Sequence, residues 1–123
     1  MKLERERATG GPIVKGFAGG GFRLDEGVFL ALLLTAERAD GWTPPPLAEL
    51  TVEALQPLLV PPPEFVLIGT GAALVRPPAA LTRALEERGI GVEAMDSRAA
   101  ARAWSVLRGE GRAIAAALYP LNA

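Results

Sequence analysis

The chain has 123 residues, with 13 basic against 14 acidic side chains, 50% hydrophobic residues, and neither cysteine nor histidine. This length fits one domain with its own core, and the near balance of charge argues against a general binder of nucleic acids or membrane surfaces. The absence of cysteine and histidine excludes disulfides, thiolate and imidazole metal ligands, and any catalytic triad with an imidazole base. Carboxylate, arginine, lysine and tyrosine chemistry remains, or that of a bound cofactor, although no pattern predicts a cofactor or a metal site.

The amino terminus carries no targeting signal that we recognise. Residues 1–10 are rich in Lys, Arg and Glu and are predicted to be a frayed end without the apolar segment of a secretory signal. The most apolar run, VFLALLL at residues 28–34, is far shorter than the ~20 residues that a membrane-spanning helix needs. We therefore expect one soluble cytoplasmic domain over residues 1–123.

The first half of the chain predicts short strands. Glycines alternate with apolar residues in GGPIVKGFAGGGFRLDEG, which indicates strands near residues 12–17 and 21–24 and a turn at residues 25–27. Residues 28–34 are apolar at nearly every position, which predicts one strand covered on both faces.

Two proline clusters separate the predicted elements in the middle of the sequence. DGWTPPPLAEL is predicted to be a loop, because prolines 44–46 fit neither a sheet ladder nor a helix interior. LTVEALQPLL, at residues 50–59, predicts a short helix capped by Thr51 and disturbed by Pro57. The second cluster, prolines 61–63, ends this helix, and we interpret both clusters as rigid connectors.

The second half alternates strands with helices. EFVLIG at residues 64–69 predicts a buried strand, and the next helix begins near Pro77 and ends before Gly89. IGVEAM at residues 90–95 predicts another strand. A helix follows over residues 98–108, with apolar side chains at i, i+3, i+4 and i+7.

The last element, GRAIAAALY, is ambiguous because alanine is the best helix former. However, AIAAAL at residues 113–118 is only six residues long, is bracketed by glycine and proline, and lacks a polar face. We predict a buried central strand whose small side chains let helices pack close. The order of elements then predicts an α/β domain with a mostly parallel or mixed sheet. Trp42 and Trp104 are interpreted as packed aromatics.

One candidate site is the loop LIGTGAALVRPP. Gly69, Thr70 and Gly71 follow a buried strand and precede a helix, where backbone N–H groups favour an anion, and Arg76 could donate to a phosphate or carboxylate. No third glycine, acidic ribose partner or Gly-Lys-Ser motif accompanies them. The alternative is a tight structural turn.

A second polar cluster comprises Asp96, Ser97, Arg102, Glu110 and Arg112. Asp96 and Ser97 end a strand, so we expect them at the same sheet edge as the Gly-Thr-Gly loop, where they would help bind a small anionic ligand. The alternative is a helix cap with charge pairs, Asp96–Arg102 or Glu110–Arg112. No partner acid or nucleophile accompanies Asp96 as a general base, so no catalytic residue is assigned.

Several of these motifs together resemble a known family. IGTG, GIGVEAMDS and AAARAWSVLRGEGRAIAAALYP, with GGGFRL near the amino terminus, are similar to the small domain of unknown function shared by the mitochondrial complex I (NADH dehydrogenase) assembly factor 3 and the adipogenesis-associated domain protein. The similarity covers residues 12–121. Ser97, Ala101, Trp104 and Ser105 replace the Thr, Cys, Tyr and Asn of the family pattern, so this protein's function needs no thiol or amide there.

The resemblance implies a three-layer α/β domain with a central mixed sheet, flanking helices and an extra N-terminal β layer. It also implies a non-enzymatic role in protein assembly through contacts with protein partners. The alternative is a protein or enzyme that binds a small anionic ligand at Gly69–Gly71 with Arg76, Arg102 or Arg112. Binding of nucleic acid ranks last. The glycine-rich edge at residues 18–21 could also pair with a partner chain or form a homodimer, and the sequence leaves this open.

Overall fold

A computed structural model describes residues 11–123, so the predicted frayed end lies outside the described residues. An antiparallel sheet of three strands comes first in the chain. Its strands, in spatial order, are β1 (Gly16–Ala18), β2 (Gly21–Leu24) and β3 (Gly27–Phe29). This sheet is the extra N-terminal β layer implied by the family resemblance.

A five-stranded mixed sheet forms the centre of the molecule, with the order β5-β4-β8-β6-β7. Strand β8 runs parallel to β6 and antiparallel to β4, and β7 runs parallel to β6. Its strands are β4 (Leu32–Leu34), β5 (Ala39–Gly41), β6 (Phe65–Gly69), β7 (Gly91–Met95) and β8 (Ala115–Leu118). The predicted α/β class with a central mixed sheet is confirmed.

The alanine tract forms β8, the middle strand, and every residue of Ala115–Leu118 is buried. Ala115 and Ala117 belong to one hydrophobic cluster and Ala116 and Leu118 to the other, because side chains alternate between the two faces of a strand. The small side chains thus join the two halves of the core. The strand prediction for this tract is confirmed.

Each face of the central sheet has its own helical cover. Helix α1 (Ala79–Glu87) and the 3-10 helix Glu53–Leu58 pack on the first face, and helix α2 (Ser97–Gly109) packs on the second, together with β2 of the small sheet. A 3-10 turn also spans Leu47–Glu49. Within residues 11–123, no helix combines the length and the apolar character needed to cross a membrane.

The prediction of one strand over residues 28–34 is wrong. The run contributes β3 to the small sheet and β4 to the central sheet, and Leu30, which is 62% exposed, lies between them. Only the second part is buried on both faces. The predicted loop after residue 39 is also partly wrong, because Asp40 and Gly41 continue β5, which pairs with β4.

Most predicted helix boundaries and caps lie close to the observed ones. Helix α1 begins at Ala79, two residues beyond the predicted start, and Gly89 follows it with a φ of +77°. Helix α2 begins at Ser97, and Asp96 is its cap because its Oδ1 accepts a 2.9 Å hydrogen bond from the Ala99 N–H. Pro57 lies inside a 3-10 helix, as the disturbed pattern indicated.

The two tryptophans pack as predicted. Trp104 on α2 is fully buried, and its Nε1 donates a 2.9 Å hydrogen bond to the carbonyl of Pro12. Ser105 donates to the carbonyl of Val14 at 3.2 Å, so adjacent residues of α2 hold the segment before β1. Trp42 packs edge-on against Tyr119, with ring centroids 5.3 Å apart.

Candidate functional site

The carboxyl ends of β6 and β7 meet at one edge of the central sheet, where residues 70–78 form a segment that we call the edge loop. Thr70 shapes its first half. The Thr70 hydroxyl donates to the carbonyl of Ala73 at 2.7 Å and accepts from the N–H of Val75 at 3.0 Å. Because Thr70 is itself buried, these bonds hold the exposed part of the loop on a fixed base.

Ser97 ties the edge loop to β8. Its hydroxyl accepts from the N–H of Gly71 and donates to the carbonyl of Tyr119, each at 2.8 Å, and the side chain is fully buried. The N–H of Ser97 also donates to the carbonyl of Gly71 at 2.8 Å. One serine therefore connects the start of α2, the glycine turn and the end of the central strand.

The two glycines of the turn have packing reasons. A Cβ on Gly69 would lie 2.9 Å from the Ser97 Oγ, because α2 begins directly against the end of β6. Gly71 has a φ of +109°, and a Cβ there would lie 2.6 Å from the carbonyl oxygen of Ala123. Both positions exclude larger residues without any ligand present.

The N–H groups of this turn already have protein acceptors. Thr70 N–H donates to the Met95 carbonyl at 2.9 Å and Ala72 N–H to the Ala123 carbonyl at 3.2 Å, in addition to the Gly71–Ser97 bond. An anion at the turn would have to replace these bonds. Binding of a small anion by Gly69–Gly71 stays a prediction, which a thermal-shift screen over phosphorylated and carboxylated metabolites would test.

The structure brings only part of the predicted polar set to this edge. The Gly-Thr-Gly turn, Asp96 and Ser97 meet there, and the exposed Arg76 lies in the edge loop. Arg102 lies elsewhere, with its guanidinium carbon 5.8 Å from the ring centroid of Phe17. No Asp96–Arg102 ion pair forms within 4 Å among the described residues.

Glu110 and Arg112 lie at the opposite end of the sheet. Arg112 precedes β8 and pairs with Glu64, which precedes the parallel strand β6, at a nitrogen–oxygen distance of 2.9 Å. The hydrogen bond from Arg112 lowers the pKa of Glu64. The Glu110–Arg112 ion pair, which was one alternative to a binding site, is absent from the ion pairs of residues 11–123. The structure therefore places Glu110 and Arg112 away from the candidate residues of the edge loop.

A groove with a volume of about 510 Å³ opens beside the edge loop, and we call it the proline groove. Its lining is almost wholly apolar: Pro44, Pro45, Pro46, Leu47, Thr70, Val75, Tyr119, Pro120 and Ala123. The Tyr119 hydroxyl donates a 2.7 Å hydrogen bond to the carbonyl of Pro45, which fixes the proline segment against the end of β8. The first proline cluster is therefore one wall of this groove.

Burial raises the pKa of Tyr119 from 10.0 to about 12. The folded state therefore retains the phenolic proton more tightly than the unfolded state does. The contribution of the protonated Tyr119 hydroxyl to folding stability is complete below pH 10 and is lost as the pH rises toward 12. We expect Tyr119→Phe to lower the free energy of unfolding by about 1 kcal/mol at neutral pH. The variant should also lose less stability than the wild type between those two pH values.

Chemical denaturation of both proteins across this range measures the difference, so the titration of lysines cancels. Tyr119 is the only tyrosine, and phenolate absorbance therefore reports its ionisation directly. An ordinary phenolate titration in the folded protein, or parallel stability curves for the two proteins, would refute the buried hydrogen-bonded state.

The edge loop also carries two exposed apolar side chains that the sequence reasoning missed. Leu74 is 64% exposed and Val75 is 51% exposed. Val75 lines the proline groove, whereas Leu74 lines a second groove with Pro77 and Ala94. The signal was the apolar run AALV in a segment that belongs to no helix or strand.

The sequence and the fold are similar to those of known proteins. The family model described as a protein of unknown function (DUF498/DUF598) matches residues 14–119. The chain belongs to this family. A solution structure of a Bordetella pertussis protein, described as a Mth938-like domain, is similar with a TM-score of 0.77 and 26% identity, covering 94% of this chain and 88% of that one.

Two relatives match most of the chain. An uncharacterized protein of Rhodobacter capsulatus is 36% identical over 110 residues, which cover 88% of this chain and 84% of that protein. The NADH dehydrogenase (ubiquinone) 1 alpha subcomplex assembly factor 3 of Danio rerio is 29% identical over 123 residues, covering 98% of this chain and 71% of that protein. The resemblance to the family of the assembly factor is confirmed.

Proposed function

We propose that this DUF498/DUF598 protein is a protein-binding module that acts in assembly, and that the edge loop is its docking surface. The observation that carries the proposal is the exposure of Leu74 and Val75 on a loop held by the buried Thr70. A contiguous exposed apolar surface is typical of protein interaction sites, whereas single exposed apolar residues are common on any protein surface.

The surroundings of the loop support the same function. The two apolar side chains lie between the proline groove and the groove beside Ala94, so a partner could contact one continuous surface. The proline groove is lined mostly by apolar side chains. The two hydroxyl groups in its lining, those of Thr70 and Tyr119, already donate hydrogen bonds to carbonyls of the chain. Such a surface fits apolar side chains of a protein better than a charged metabolite.

The relative from Danio rerio is named as an assembly factor of NADH dehydrogenase. On this similarity we extend the proposal to a subunit of a multi-subunit complex as the partner. The absence of histidine and cysteine from the sequence is compatible with a role that requires no catalytic side chain.

Quantitative affinity capture with the full chain tests the proposal. We expect the double variant Leu74→Ser/Val75→Ser to recover at least about tenfold less of a specific partner than the wild type, because two apolar contacts are lost. Val60→Ser is the matched control, since Val60 is 74% exposed but lines a different cavity.

Recovery of one protein by the wild type and by Val60→Ser, with its loss from the double variant, supports the proposed function. Circular dichroism should show that all three proteins keep the same fold and thermal midpoint within a few degrees. Equal recovery by the wild type and the double variant would overturn the assignment of the edge loop.

A further inference from the structure

Strand β7 is an edge strand of the central sheet, because it pairs with β6 on one side and with no other strand of residues 11–123. The N–H of Gly91 and the carbonyl of Met95 both bond toward the β6 side. Backbone groups of successive residues in a strand point to opposite sides, so Val92 and Ala94 direct their N–H and carbonyl groups outward. No hydrogen bond joins these four groups to another residue between 11 and 123, so within this part of the chain they form an open hydrogen-bonding edge.

A groove of about 470 Å³ runs along this edge between β7 and helix α1. Val92 and Ala94 line it from the strand, and Arg76, Arg83 and Glu86 bring the charges. Two arginines against one glutamate leave the groove with a net charge of +1. Neither arginine forms an ion pair within 4 Å with any residue between 11 and 123.

A second copy of this chain is poorly suited to pair with the outward side of β7. If two β7 strands paired antiparallel with full overlap, Val92 would lie opposite Ala94 of the second copy, and Glu93 would lie opposite Glu93. Glu93 is exposed on the face of the strand away from the groove. Like charges directly opposite each other destabilise a strand pair, so this register is disfavoured.

We propose that β7 accepts an extended segment of a partner protein as an added strand. The segment carries acidic side chains on the face toward Arg76 and Arg83, and a basic side chain between them that lies opposite Glu93. Main-chain bonds to Val92 and Ala94 supply the pairing, and the alternating charges select the segment. This inference rests on the proposed function, since it specifies how a partner of the edge loop continues along the sheet.

Two synthetic seven-residue peptides test the charge pattern with the full chain. One has Glu-Lys-Glu at its centre between Thr-Val and Val-Thr, and the matched control has Lys-Glu-Lys at the same positions. We expect the first peptide, at about 1 mM, to shift the amide NMR signals of Val92 and Ala94 and slow their hydrogen exchange, and the control to bind at least about tenfold more weakly. Equal effects of both peptides, or no effect of either, would overturn the proposal.

Variants of the chain test the geometry. Ala94→Pro removes an outward N–H but no bond to β6, and it should reduce binding of the first peptide about tenfold or more, whereas Ala94→Ser keeps the N–H and should bind like the wild type. The double variant Arg76→Glu/Arg83→Glu should reverse the preference between the peptides without a change in the backbone. Unchanged binding by a folded Ala94→Pro, or an unchanged preference after charge reversal, would contradict strand addition.

The two proposals fail in different ways. Suppose that Leu74→Ser/Val75→Ser no longer binds the partner, whereas Ala94→Pro and the charge-reversed variant still bind it. This result would support docking at the edge loop and refute strand addition at β7. A peptide effect at β7 without any partner that depends on the edge loop would refute the proposed function instead.

Discussion

Replacement of Trp104 by alanine is expected to lower the free energy of unfolding by about 3–5 kcal/mol. Trp104 is the largest fully buried side chain and packs in the cluster between α2 and the central sheet. Its removal leaves a cavity in this cluster and also removes the hydrogen bond that its Nε1 donates to the Pro12 carbonyl. The loss therefore combines apolar burial with the attachment of the segment before β1.

Urea denaturation followed by circular dichroism measures this effect without relying on the fluorescence of the replaced residue. Val106→Ala is the control on the same helix, since Val106 is 61% exposed and its truncation should change stability by less than about 0.5 kcal/mol. A Trp104→Ala variant as stable as the control would show that α2 does not pack on the sheet through this side chain.

Ser97→Ala should have the second largest effect, a loss of about 2–4 kcal/mol. The substitution leaves the Gly71 N–H and the Tyr119 carbonyl without the hydroxyl to which each is bonded. An unsatisfied buried polar group costs about 1–3 kcal/mol, and water has no access to the fully buried position. The methyl group of alanine fits the site, so packing adds little to the loss.

The matched control is Ser105→Ala, which removes one 3.2 Å bond from a half-buried hydroxyl of the same helix. This control should lose about 1 kcal/mol or less in the same denaturation experiment. If the two serine variants were equally stable, the hydroxyl of Ser97 would not be the connection between the glycine turn and the central strand.

The succession of strands and helices in the second half was predictable, because each apolar run is short and is bounded by glycine, proline or a capping residue. The alanine tract shows why length outweighs propensity: a run bracketed by Gly111 and Pro120 has too few residues and no polar face for a surface helix. The division of residues 28–34 between two sheets was not predictable, since exposed Leu30 is as apolar as its buried neighbours.

The candidate site was predicted less well than the fold. Asp96 and Ser97 follow a strand, so their place beside the glycine turn follows from the parallel pairing of β6 and β7. Glu110 and Arg112 follow a helix and precede a strand, and the same alternation places them at the other end of the sheet. Sequence proximity suggested one cluster, whereas the register of β8 against β6 pairs Arg112 with Glu64.

The apolar surface of the edge loop depends on tertiary structure that single residues do not reveal. Leu74 and Val75 would be ordinary core residues in a helix or strand. They are exposed because the Thr70 hydroxyl bonds to Ala73 and Val75 and closes the chain into a loop. No local pattern distinguishes this threonine from one on a surface.

Hydrogen exchange of the full chain, measured with and without the partner identified by affinity capture, tests the docking surface most directly. We expect partner binding to slow exchange at the amides of the exposed part of the edge loop and at Val92 and Ala94. Protection confined to the three-stranded sheet or to the region around Val60, with unchanged exchange in the edge loop, would contradict it.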